Sequence, residues 1–66
     1  MNITLNGEAH AVEAGTTIAT LIEALNIPLV KVAVERNLSI VSRSSFDQVI
    51  LQKGDRIEIV RFIGGG

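Results

Sequence analysis

The last seven residues, Val60-Arg61-Phe62-Ile63-Gly64-Gly65-Gly66, carry the one unusual reactive group in this sequence, an α-carboxylate on an unhindered glycine. An α-carboxyl group with a pKa of about 3.5 is ionised at neutral pH. In that form it is a poor electrophile, so acyl chemistry there needs activation by an outside enzyme, for instance as an acyl-adenylate. Glycine suits such chemistry because no side chain blocks attack on the carbonyl. Three glycines in a row have no Cβ and no preferred conformation. Extended, they reach roughly 10 Å at about 3.3–3.6 Å per residue. That places the carboxylate inside a narrow pocket of another protein while the folded body stays outside. Taken alone, the glycine run is explained equally well as a frayed end, because chain termini are commonly disordered.

Other chemistry is sparse. The sequence has no Cys and a single His, which excludes a thiol nucleophile, a disulfide framework and a Cys/His zinc site. His10 has no Asp close by in sequence. It reads as an ordinary, partly exposed strand histidine rather than a general base or ligand. No G-x-x-x-x-G-K-[ST] phosphate loop occurs, and no helix follows Gly64-Gly65-Gly66 to turn those glycines into a phosphate cradle. The seven acidic residues are dispersed, so no metal cage is expected. A net charge of −1 with scattered basic residues argues against nucleic-acid binding, which needs a concentrated basic surface. There is no basic segment leading into an apolar one at the N-terminus, and no apolar run of membrane-spanning length. A cytoplasmic protein that contacts no membrane is therefore expected.

Positioning that carboxylate falls to a small body. Sixty-six residues make one domain, with residues 1–63 as the folded part and 64–66 as its tail. With 47% hydrophobic residues and a mean hydropathy of +0.40, an aliphatic core must hold it without staples. Alternation over Met1–Leu5, the dipeptide Asn6-Gly7 and the run Glu8–Glu13 predict an antiparallel hairpin on a type I′ turn, with Ile3 opposite His10. Thr16-Thr17 supplies an N-cap hydroxyl. Ile18, Leu21, Ile22 and Leu25 then recur at i, i+3, i+4 and i+7, one face of a short helix. Asn26 and Pro28 end it.

Val30–Glu35 reads as a strand with Val32 and Val34 inward, Arg36-Asn37 as a turn, and Leu38–Val41 as a short returning strand. Ser42–Gln48 is polar and irregular with Phe46 tucked beneath it. Val49–Leu51 reads as a small strand and Lys53-Gly54-Asp55 as a turn. In the last strand, Arg56–Phe62, alternation turns Ile57 and Ile59 inward and leaves Val60 and Phe62 facing outward. Exposed apolar patches of this kind mark binding surfaces, so Val60, Phe62 and Ile63 are expected to dock on a partner. The elements make an α+β fold, a mixed sheet with one helix packed across one face.

The hairpin and helix, the segment Lys31-Val32-Ala33-Val34-Glu35-Arg36-Asn37, the Gly54-Asp55 turn, the strand Ile57-Glu58-Ile59-Val60 and the closing Ile63-Gly64-Gly65-Gly66 resemble the ubiquitin-like β-grasp sulfur carriers. Within that group the resemblance is to the sulfur carriers of thiamin biosynthesis, and it covers the whole chain. One departure is Leu38, where the family often has Gly. The resemblance implies that an E1-like adenylyltransferase uses ATP to convert the Gly66 carboxylate to an acyl-adenylate. Sulfur from a desulfurase persulfide then displaces AMP, and the resulting thiocarboxylate serves thiazole synthase. Gly64 and Gly65 enter the partners' active sites. The resemblance further implies that the chain binds no cofactor, is a carrier rather than an enzyme, and is monomeric when free. The small subunit of molybdopterin synthase is the alternative within this group. Those chains tend to be longer, with proline just before the diglycine, whereas Phe62-Ile63 stands here. A β-grasp interaction module with an inert tail is the alternative from another class.

Overall fold

In the computed structural model, which describes residues 1–62, the first turn has the predicted form. Asn6 and Gly7 take φ values of 49° and 85°, the two left-handed positions of a type I′ turn. Strand β1 (Asn2–Leu5) pairs antiparallel with β2 (Glu8–Ala11), and Ile3 lies opposite His10 as expected.

Helix α1 spans Ile18–Ala24. Thr17 caps it reciprocally: its Oγ1 accepts from the Thr20 N–H at 3.1 Å, and Thr20 Oγ1 accepts from the Thr17 N–H at 2.9 Å. Two of the free donors at the helix start are thus satisfied. Asn26, at φ 59°, takes the left-handed turn that ends the helix.

The next strand begins later than its sequence suggests. Leu29–Lys31 forms a single 3₁₀ turn, and β3 runs over Val32–Arg36. Pro28 holds φ at −63°, and its carbonyl accepts from the Lys31 N–H at 3.2 Å. Val30 therefore belongs to the turn and is exposed.

The β3–β4 turn is also displaced by one residue. Asn37 and Leu38 are its central positions, at φ 52° and 74°, while Arg36 stays in the strand opposite Ile57 and Ser39. Strand β4 is Ser39–Val41. A 3₁₀ turn over Arg43–Ser45 follows, and Phe46 is buried beneath the irregular stretch as predicted. Val49–Leu51 forms no strand of the sheet. Ile50 makes only an isolated bridge with Thr17, because the backbone of this segment bonds to the loop leading into α1: Ile18 N–H to the Val49 carbonyl, and Leu51 N–H to the Thr16 carbonyl.

Strand β5 (Arg56–Arg61) lies in the middle of the five-stranded sheet, whose order is β2-β1-β5-β3-β4. It runs parallel to β1 and antiparallel to β3. On one face Ile3, Val32, Val34, Ile57 and Ile59 meet Ile18, Leu21 and Ile22 of α1, with Phe46 and Leu51 closing the core. Burying each such side chain contributes roughly 1.5–3 kcal/mol. Ile57 and Ile59 point inward, so the predicted register of the last strand holds.

Candidate functional site

The central strand leads toward the glycines. After Arg61, the Phe62 N–H donates to the Lys31 carbonyl at 2.9 Å, which keeps the chain on β3 past the end of the ladder. Val60 and Phe62 are 57% and 55% exposed, in keeping with their expected outward placement. Phe62 does not fold back to cover itself. Ile63, Gly64, Gly65 and Gly66 lie outside the described residues, and so do the expectations placed on them.

The open face extends beyond what alternation in the last strand revealed. Val60 lies opposite Ala33, Glu58 opposite Glu35, and Glu35 opposite Ile40. These residues, with Val34, line a shallow depression of about 210 Å³. Ile40 is 82% exposed. The sequence signal for it was the alternation within Ser39-Ile40-Val41, which forces Ile40 and Val41 to opposite faces; only the pairing decided which one stays outside.

A second element was missed outright. Asp55, read as a turn residue, is 6% exposed. Its carboxylate accepts from Arg36 Nε at 2.8 Å, from Asn37 Nδ2 at 3.1 Å and from the Gln52 backbone N–H at 2.8 Å. Asn37 Oδ1 in turn accepts from the Arg56 N–H at 2.9 Å. Burial pushes the Asp55 carboxyl up, but the Gln52 N–H, the Arg36 side chain and Asn37 together outweigh it and hold the group below its ordinary value. This clasp joins the start of β5 to the β3–β4 turn. Further along, Asn6 Oδ1 accepts from the Ile59 N–H at 2.8 Å and ties β5 to the first hairpin. The strand that leads to the tail is thereby fixed on both sides.

His10 is half-buried at the sheet edge opposite Ile3, where the sequence placed it. Among the described residues no group of three or more His, Cys, Asp and Glu side chains gathers to hold a metal ion. No helix among them is long and apolar enough to cross a membrane.

The profile of the ThiS family matches residues 3–66. The chain belongs to the ThiS family. It is 36% identical to the sulfur carrier protein ThiS of Escherichia coli, with both chains covered completely. The crystal structure of the thiamine biosynthesis protein ThiS from Geobacter metallireducens superimposes with a TM-score of 0.83 at 35% identity, covering 100% of each chain. The fold is thus the ubiquitin-like β-grasp of the ThiS proteins. A protein of Magnetococcus marinus named thiazole synthase is 54% identical over the whole of this chain, which spans 20% of that relative's length. The chain is a member of the sulfur carrier family of thiamin biosynthesis.

Proposed function

We propose that this chain carries sulfur as a thiocarboxylate on Gly66 and delivers it for thiazole formation. The observation that carries this reading is the end-to-end match to a protein named sulfur carrier, with the glycine run inside the residues that the family profile covers. The fold supports it: β5 is the central strand, pinned on both sides, and the three glycines follow it after Phe62 and Ile63.

The steps are those that the resemblance to the sulfur carriers implies for a glycine carboxylate. A carboxylate oxygen attacks the α-phosphorus of ATP on an E1-like adenylyltransferase, and pyrophosphate leaves. A persulfide, charged by a desulfurase, attacks the acyl carbon and expels AMP. A thiol then attacks the donor's sulfur in the acyl disulfide, forming a disulfide with the donor and releasing the thiocarboxylate. That sulfur passes to thiazole synthase. Relatives that bear the thiazole synthase name and contain a segment aligning with this entire chain support that last partner. ATP and sulfur reach the chain through partners, and it contributes the acyl group, the reach of the tail and the docking face formed by Val60, Phe62 and Ile63.

The test is the intact mass of the protein isolated from cells that make thiamin. A fraction ending at Gly66 and heavier by the difference between sulfur and oxygen is expected, and it should disappear when the adenylyltransferase gene is deleted. A single mass without that increment, in cells starved of thiamin, would refute the reading.

A further inference from the structure

On the open face of the sheet, Glu35 of β3 and Glu58 of β5 stand directly opposite each other, and both are half-buried. Like charges in that position destabilise a sheet. The fold does little to relieve them. Arg56 Nε lies 3.5 Å from Glu58 Oε2, but the two side chains are 57% and 33% exposed, so water and salt screen the pair. Neither ion pair among the described residues includes Glu35. On the side away from Arg56 the surface beside the two carboxylates is apolar: Ile40 lies opposite Glu35, and Ala33 and Val60 form the next outward-facing pair along the same strands. Two facing acids in a depression otherwise lined by apolar side chains suit a domain that meets a cation.

We propose that Glu35 and Glu58 together seat one arginine side chain presented by the enzyme that adenylates the tail, with Ile40, Ala33 and Val60 packing along its aliphatic stem. This rests on the carrier reading above. An enzyme that adenylates a carboxylate must hold a triphosphate, and proteins hold phosphates with Arg and Lys. The mouth of its pocket is therefore positive. Glu58 precedes Gly66 by eight residues, at most about 29 Å of extended chain at ~3.6 Å per residue. The face that bears the acid pair consequently lies within that distance of the pocket that the tail enters. Arginine fits better than lysine because its planar fork pairs with two carboxylates at once, while its stem tolerates burial against apolar surface. The shared cation turns a repulsion in the free carrier into an attraction in the complex, and a partner offering an acid at that spot is repelled.

The experiment compares the wild-type chain with the double variant Glu35→Gln/Glu58→Gln. Affinity for the purified E1-like adenylyltransferase of the same organism is measured by calorimetry at low and high salt, beside thermal melts and pyrophosphate exchange. The double variant is expected to melt at or above the wild-type temperature, because the repulsion is gone. It should bind at least tenfold more weakly at low salt and lose most of the salt dependence shown by the wild type. At saturating carrier its exchange rate should return to the wild-type value, since the tail is intact. Unchanged affinity and salt response, with the wild type adenylated normally, overturn the arginine seat and leave the carrier reading standing. A lower melting temperature also overturns it, because the pair would then be holding the fold. Absence of exchange with the wild type removes both readings.

Discussion

Arg36 Nε donates to Asp55 Oδ2 at 2.8 Å, across 19 residues of sequence, and the acceptor is almost completely buried. This contact joins the end of β3 to the first residue before β5, and the Gln52 N–H and Asn37 complete the shell around the same carboxylate.

Removing that carboxylate strands three donors. Hydrogen bonds to charged groups contribute about 1.5–3 kcal/mol each, but they are not additive. Asp55→Ala is therefore expected to lower stability by about 2–3 kcal/mol, read as a shift in the urea midpoint at constant slope. The pH dependence has a defined sign. The folded-state pKa is below the ordinary 3.8, so the contribution is present in full above that value and is lost as pH falls from there through the lowered folded value. Asp55→Asn should flatten this acid limb of the stability curve. A limb unchanged by the substitution would show that other carboxylates produce it.

Leu38 occupies a left-handed conformation, φ 74°, with 70% of its surface exposed. For a residue with a Cβ that conformation costs roughly 1–2 kcal/mol, while glycine adds about 0.5–1 kcal/mol of unfolded-state entropy to be lost. Leu38→Gly should stabilise the chain by about 0.5–1 kcal/mol. A thermal melt checks it, and a reduced melting temperature would mean that Leu38 makes contacts that outweigh its strain.

Phe62 is half exposed at the end of the central strand. Truncating an aromatic anchor in an interface typically costs more than about 2 kcal/mol. Phe62→Ala should weaken binding to the adenylyltransferase and to thiazole synthase well over tenfold while barely moving the melting temperature. Equal affinities for both partners would take Phe62 out of the docking face.

At Gly66 the expectation concerns geometry. Deleting it withdraws the carboxylate by roughly 3.5 Å, and a misplacement of about 1 Å in a reacting arrangement can cost on the order of 100-fold in rate. The deletion should abolish pyrophosphate exchange. Gly66→Val should nearly do so by crowding the carbonyl, and Gly66→Ala should fall between Val and wild type. Thermal melts of all three should match the wild type. Exchange at the wild-type rate by the deletion variant would show that the reacting carboxylate is not that of Gly66.

The local pattern alone determined the first hairpin, the helix and the inward face of the last strand. Asn6-Gly7 needs no distant partner to choose its turn, since both residues tolerate positive φ. Spacing along ten or fewer residues decides which side of α1 or β5 is apolar. The glycine run was likewise legible, because it depends on composition and not on packing.

Pairings between distant segments decided the rest. Placing β5 between β1 and β3 involves contacts such as that from Asn6 Oδ1 to the Ile59 N–H, 53 residues away, and no periodicity encodes such a separation. That placement buried Asp55, set Glu35 against Glu58 and left Ile40 rather than Val41 outside. Val30 looked like the start of a strand because it is apolar and β-branched. The turn closed from Lys31 to Pro28 removed it from the sheet. Asn37-Leu38 became the hairpin turn because the Asp55 clasp and the Arg56 N–H hold Asn37 in place, and a leucine then had to accept the left-handed position that local preference alone assigns to glycine.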